Sequence, residues 1–409
     1  MHAHTFLITL FILMVSWNNY YSSNTAVEAA GFFEKFTNKT KEITNLTVET
    51  GKALAEKAPD YVPTFDELLD FTKQSIAGLP LEVAASIINK ICSIAIAANA
   101  TKPFRTPNAS ELNYVLLTGD ENITFPLTNS IELWRHPSFD PKKKTVVLIT
   151  GWTTDINETN TAVDLLSEAY TARGDTNFVF IDTARYVDTL YAWSAFNTQE
   201  LGEAIGEGLA LLAELIPNEN IHVIVKRKTS KIYKNMILIM VFFLVCCDLG
   251  HSLGAHISGA AGQSFQNNAG KLLPRITGLD PANPCFKEGE TLQGLMRGDA
   301  EFVDIIHTNC GVLGKRDPIG DSDFYPNGVV PLQPGCLSIT CSHARSYELY
   351  AETVYPGKEN SLMAKKCNSI SALDSGICKS KPIPVGFACP KNVKGNYFFK
   401  TSSEKPYKS

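Results

Sequence analysis

Gly250-His251-Ser252-Leu253-Gly254, followed by Ala255, Ile257, Ala260 and Ala261 at helical spacing, decides how this chain is read. A serine between two glycines, where a strand gives way to a helix, occupies a strained turn. The glycines remove side chains that would clash with the neighbouring strand and helix. A serine held this way is a candidate nucleophile, which needs a base within hydrogen-bond reach and an acid to orient that base. On this kind of turn the partners follow in the order acid, then histidine.

Beyond Ser252, Asp280 directly follows the apolar run Ile276–Leu279 and precedes Pro281, the position of a strand-end carboxylate. Asp304, inside Val303–Ile306, is a rival. The histidines after the serine are His256, His307 and His343. His256 lies one helical turn past Ser252 and reads as a packed helix residue. His307 ends a strand and fits a structural role as well as a chemical one. His343, in Cys341-Ser342-His343, is preferred because a neighbouring disulfide candidate fixes its loop.

Working outward, Val146–Ile149 and Phe178–Ile181 are short, continuously apolar runs, and Ile221–Ile224, Ile276–Leu279 and Val303–Ile306 are further, mostly apolar strands. Between them Val163, Leu166 and Tyr170 keep helical spacing, as do Leu201, Ile205, Leu209 and Leu212. Apolar strands alternating with amphipathic helices predict an α/β fold, a mostly parallel sheet covered on both faces. Nearer the N-terminus, Thr64-Phe65-Asp66-Glu67 is a capping-box pattern and Pro80 opens a second helix.

The 409 residues carry 37 basic and 42 acidic side chains, a net charge of −5, with 44% hydrophobic residues. The balance lacks the basic field of nucleic-acid binding. Ten cysteines with no C-x-x-C argue for disulfides over a zinc module. The 12-residue, mostly apolar stretch Phe6–Trp17 suits a signal-peptide core, with cleavage expected after Ala29, although no lysine or arginine precedes it. Asn38, Asn45, Asn99, Asn108, Asn122 and Asn157 lie in N-x-S/T sequons. An extracellular, secreted, disulfide-bonded glycoprotein is the expectation.

Four motifs then stand in order: Gly-His-Ser-Leu-Gly-Ala-His (250–256), Gly-Leu-Asp-Pro-Ala (278–282), Phe-Tyr-Pro-Asn-Gly (324–328) and Cys-Ser-His-Ala-Arg-Ser-Tyr (341–347). Together they resemble the pancreatic lipase family, particularly its insect members, over roughly residues 111–400. The resemblance implies an α/β-hydrolase fold and a lipase or phospholipase A1-type esterase, with Ser252 as nucleophile, Asp280 as acid and His343 as base. It implies an oxyanion hole of two backbone N–H groups, at Leu253 and Trp152; Thr150 stands where the family often has histidine. A non-catalytic lipid-carrying or yolk-type protein is the alternative, although family members of that kind have lost the triad.

Three departures from the family bear on substrate. Cys336 and Cys341, the pair that brackets the family's lid, enclose only Leu337–Thr340. That shortness resembles sn-1-specific phospholipases. The chain shows no room for the family's C-terminal β-sandwich, so colipase is not an expected partner; a lipid substrate or lipid–water interface is. The family's calcium loop falls near Thr291, Gly294, Met296 and Asp299, of which only Asp299 suits a hard cation, so no bound calcium is expected. Cys367–Cys378 is a plausible second bridge, and Cys92, Cys285, Cys310 and Cys389 could form two more.

The expected organisation is a signal peptide at 1–29, a helical and polar extension at 30–110, an α/β-hydrolase domain at 111–400 and a tail at 401–409. Residues 225–249 interrupt it. They separate Ile221–Ile224 from the serine turn with a basic start, an apolar run from Met236 to Cys247 and the vicinal pair Cys246-Cys247. In one reading Ile237–Val245 replaces Ile221–Ile224 as the strand feeding the turn. In the other, favoured here, the segment is an exon-boundary error in a conceptual translation. Its removal leaves eight cysteines.

Overall fold

Strand alternation builds this fold in two directions at once. Successive side chains point to opposite sheet faces, and a run apolar at every position is buried on both. In β3 (Lys144–Ile149), Val147 and Ile149 enter one core while Val146 and Leu148 enter the other. In β4 (Thr176–Ile181), Val179 and Ile181 face the first core, Phe178 and Phe180 the second. The computed structural model describes residues 107–118, 121–149, 162–183, 186, 191–214, 221–225, 252–286 and 292–408. The signal-peptide run, the helices expected at 64–91, four of the sequons, Cys92, Trp152 and the segment 226–249 lie outside these residues. Asn108 and Asn122 are described, and both are exposed.

In chain order the elements are β1 (Asn113–Leu117), β2 (Asn122–Pro126), α1 (Ser130–Arg135), β3, α2 (Ala162–Arg173), β4, α3 (Tyr191–Phe196), α4 (Thr198–Ala213), β5 (Ile221–Val225) and α5 (Ser252–Ala269). There follow β6 (Ile276–Leu279), β7 (Val303–Ile306), β8 (Ser322–Pro326), α6 (Ile339–Val354), β9 (Met363–Cys367), α7 (Ile370–Ser375), β10 (Ile383–Pro384) and β11 (Gly395–Phe399). They form one sheet in the order β10-β9-β11-β8-β7-β6-β5-β3-β4-β1-β2. Its middle, from β4 to β11, is parallel throughout. Antiparallel pairs close both edges. Such a sheet, with helices on both faces, is the α/β-hydrolase fold.

Helices α4 and α5 cover one face and α2 and α6 the other. Leu201, Ile205, Leu209 and Leu212 of α4 are fully buried, each contributing roughly 1.5–3 kcal/mol. Gly202 and Gly206 let α4 lie against α5. A Cβ on Gly202 would stand 2.3 Å from the Ala260 Cβ, and one on Gly206 2.5 Å from the Ser264 Cβ. The helix that begins at Ser252 is therefore held backbone to backbone.

β5 occupies the place between β3 and β6, paired with both. That position is filled by Ile221–Val225, so the reading in which Ile237–Val245 replaces this strand is corrected. β4 and β5 flank β3, so the strand order reverses at β3. In open α/β sheets ligands bind at such a switch point, outside the carboxyl ends of the strands.

Candidate active site

β6 ends at Leu279, and the chain turns at Asp280, whose φ of +48° lies in the left-handed region that non-glycine residues seldom adopt. Hydrogen bonds hold it there. Asp280 Oδ1 accepts the backbone N–H of Thr308 at 2.7 Å and of Asn309 at 3.1 Å, both from the turn after β7. Asp280 Oδ2 accepts from His343 Nδ1. Both residues are fully buried. Gly314 packs directly on the carboxylate: a Cβ there would lie 2.3–2.4 Å from its Oδ1, Cγ and Oδ2.

His343 is delivered by the first turns of α6. Ser338 caps that helix through the N–H of Cys341, and the Cys336–Cys341 disulfide pins the same turn, with a Cα–Cα distance of 5.4 Å. Ser342 Oγ accepts the N–H of Gln333 at 2.5 Å and donates to the Thr308 carbonyl at 3.3 Å. Gln333 Nε2 donates to the carbonyls of Thr308 and Pro326. The loop before α6 and the loop after β7 are thus tied together around Asp280 and His343. The bridge Cys367–Cys378 is also formed.

Each rival residue is engaged elsewhere. Asp304 takes a two-pronged ion pair from Arg275, at 2.8 and 2.7 Å, plus the Thr277 hydroxyl at 2.8 Å. His256 Nδ1 accepts the N–H of Leu295 at 3.0 Å, which leaves Nε2 to donate to the Ala282 carbonyl at 2.9 Å. Burial, assisted by Lys315, pushes its pKa down to about 3, so the ring is a neutral strut stacked on Phe286. His307 faces the Lys315 carbonyl with one nitrogen and Asp323 with the other, each at 2.9 Å.

The structure brings Asp280 and His343 together across 63 residues of sequence. Ser252 begins α5 and Leu253, the second residue, is buried. The Ser252 side chain and Trp152 lie outside the described residues. Sequence reasoning did not reach Thr308, Asn309, Gly314 or Gln333, which act through backbone amides, an absent Cβ and a carboxamide. Of these, Thr308 and Asn309 were open to inference, standing directly after a strand next to the one that ends at Asp280.

The calcium-loop positions do not fit a hard cation. Asp299 Oδ1 accepts from Gln263 and Oδ2 from the Met296 N–H, each at 2.8 Å. Burial pushes its pKa up to about 6. Among the described residues no group of three His, Cys, Asp or Glu side chains stands together. The cysteine expectation needs one correction. Cys285 is disulfide-bonded, but Cys310 and Cys389 are free, buried thiols, so Cys92, Cys285, Cys310 and Cys389 do not form two bridges. Cys285, Cys310 and Cys389 sit in three separate apolar clusters.

Comparison with known proteins agrees with this architecture. The family model described as Lipase matches residues 88–230 and 248–407 and passes over 231–247. Vitellogenin-3 of Drosophila melanogaster is 25% identical over 410 residues, 90% of this chain and 90% of that protein. Lipoprotein lipase of Neovison vison is 30% identical over 302 residues, 66% of this chain and 57% of that protein. The chain thus spans little more than half the length of that relative. A Pyrobaculum calidifontis esterase covers 50% of this chain and 54% of its own at 8% identity, with a TM-score of 0.21, too slight a likeness to bear on the argument. With the family model accounting for most of its residues, this chain belongs to the pancreatic lipase family.

Proposed function

We propose that the chain is a secreted serine carboxylic-ester hydrolase acting on lipids, and that Ser252, His343 and Asp280 are its triad. The observation that carries this reading is the buried Asp280–His343 couple, seated on two backbone amides. Asp280 accepts a hydrogen bond from the Nδ1–H of His343 and so fixes the ring to use Nε2 as base. Ser252 Oγ attacks an ester carbonyl while its proton passes to His343, and the oxyanion is received by the backbone N–H groups of Trp152 and Leu253. As the tetrahedral intermediate collapses, His343 returns the proton to the leaving alcohol. Water then attacks the acyl-enzyme by the same route and releases the acid.

The rim around His343 supports a lipid as substrate. Residues 327–344 contain no Asp, Glu, Lys or Arg, in a chain with 19% charged residues. Within that stretch Leu337 is fully exposed and Leu332 half-exposed, an unusual surface to present to water. The four-residue loop inside Cys336–Cys341 favours the sn-1 ester of a phospholipid, or a short acylglycerol, without colipase or calcium. Secretion rests on the apolar run Phe6–Trp17 and on the formed disulfides.

The vitellogenin likeness sustains a second reading, a non-catalytic lipid carrier on the same fold. A fluorophosphonate probe separates the two. Labelling of the wild type, lost in Ser252→Ala, is the expected outcome, and an unlabelled wild type sinks the enzyme. Parallel assays on phosphatidylcholine and triacylglycerol, with and without chelator, then assign the substrate; chelator-sensitive turnover counts against the reading.

A further inference from the structure

The loop from Thr308 to Arg316 seats Asp280 at both of its ends. Its first two amides, of Thr308 and Asn309, bind Asp280 Oδ1. Near its end Gly314 forms the wall against the carboxylate. Cross-links fold the loop on itself: the Gly314 N–H donates to the Asn309 carbonyl, and Asn309 Oδ1 accepts from the Leu313 N–H at 2.7 Å. The Lys315 N–H donates to the Pro281 carbonyl at 2.8 Å, beside Asp280 itself.

The far end is held by two buried rings. His307 Nδ1 faces only the Lys315 carbonyl oxygen, at 2.9 Å, and therefore donates to it. Tyr325 lies parallel to His307, with ring centroids 4.4 Å apart, and its hydroxyl donates to the next carbonyl, that of Arg316, at 3.0 Å. Asp323 Oδ1 takes the other His307 nitrogen at 2.9 Å, while its carboxylate also receives the N–H groups of Ile319 and Gly320. His307 thus stands at the root of the loop and grips its end, while its other nitrogen ties the ring to Asp323.

We propose that His307 is a positioning residue for the Asp280–His343 couple, acting through the Lys315 carbonyl to hold the 308–316 loop against Asp280. The inference rests on the esterase reading above. It assigns this second buried histidine a role in the reaction besides stability. It also separates the two ring nitrogens: the Lys315 contact serves Asp280, and the Asp323 contact serves the fold.

Two substitutions split these contacts. The amide nitrogen of asparagine can stand where Nδ1 stands, and that of glutamine where Nε2 stands. His307→Asn therefore keeps the donor to Lys315, and His307→Gln keeps the donor to Asp323. The assay is kcat and KM on a soluble chromogenic ester, with thermal midpoints alongside. Both variants should melt below the wild type. H307Q should lose about 10–100-fold in kcat with KM little changed, as expected for an orienting group displaced by an ångström or less. H307N should restore kcat to within about threefold of the wild type on the same argument. Tyr325→Phe, which removes the Arg316 tether and keeps the ring, is the milder probe should either His307 variant fail to fold. It should lower kcat without raising KM. Equal kcat losses in H307N and H307Q, or an unchanged kcat in H307Q or Y325F, overturn the proposal. Fluorophosphonate labelling of the wild type shows whether the esterase reading itself stands: a labelled wild type with the wrong variant pattern refutes the positioning role alone, and an unlabelled one refutes both.

Discussion

Gly314→Ala tests the proposed triad acid without touching any titratable group. The added methyl carbon would stand 2.3 Å from Asp280 Oδ1 and 2.4 Å from both Cγ and Oδ2, more than an ångström inside van der Waals contact. The neighbours cannot simply yield, because Asp280 Oδ1 is held by two amides at 2.7 and 3.1 Å and Oδ2 by His343. Either the carboxylate shifts by about an ångström or the 308–316 loop lifts away. Overpacking of this kind costs about 1–3 kcal/mol. At roughly 2–4 °C per kcal/mol for a domain of this size, the melting midpoint should fall by about 2–12 °C. Replacing the acid itself in such a triad costs about 10⁴ in kcat, which sets a ceiling, and a misplacement of about an ångström costs on the order of 10²-fold. The expected loss in kcat/KM is therefore about 10²–10³. Hydrolysis of a soluble chromogenic ester measures it free of interface effects. Gly270→Ala, at a left-handed position with open space around it, is the control: it should cost stability and leave kcat/KM alone. Asp280→Asn added to Gly314→Ala should cost less than it does alone, since both disable one contact. A Gly314→Ala enzyme within threefold of wild type would falsify the assignment of Asp280.

Three further outcomes follow from the buried polar groups. His256 has its pKa depressed to about 3 by burial, against about 6.5 in an unfolded chain. The unfolded state therefore takes up this proton first as pH falls, and the ring's contribution is complete above about 6.5 and lost progressively toward 3. At pH 5 the loss is about 2 kcal/mol, visible as a lower urea midpoint than at pH 7, and a pH dependence unchanged in His256→Gln contradicts it. Asp299 works in the opposite sense: burial raises its pKa to about 6, so its contribution is present at low pH and lost as pH rises from about 3.8 to 6. Asp299→Asn should flatten that limb, and an unaltered midpoint-against-pH curve would argue against it. Arg275→Met leaves Asp304 fully buried and without its ion pair. It should lower stability by about 3–5 kcal/mol while the surviving folded fraction keeps its kcat, and a loss confined to kcat would instead return Asp304 to the reaction.

How far the sequence could be read depended on which force set each element. Central strands buried on both faces must be largely apolar, and β3, β4, β6 and β7 lie where their mostly apolar runs predict. The strands at or next to the edges are under no such demand. β9, Met-Ala-Lys-Lys-Cys, has an exposed outer face, and β2 buries only Phe125. Neither announces itself by periodicity, because backbone pairing holds them, β2 through β1 alone and β9 through β11 and the two-residue β10. The choice between Asp280 and Asp304 shows a different limit. Both are carboxylates at or near the end of a short apolar strand, and composition cannot separate them. Register can: β6 and β7 run parallel with Thr277 opposite Asp304, which brings Arg275, just ahead of β6, onto the Asp304 carboxylate and removes it from chemistry. Asp280, one residue beyond the end of β6, meets backbone amides and a histidine. A carboxylate inside a strand is answered by the adjacent strand, whereas one past its end is answered by loops. That difference of three register positions turns one aspartate into an ion-pair partner and seats the other against His343, where the proposed triad needs its acid.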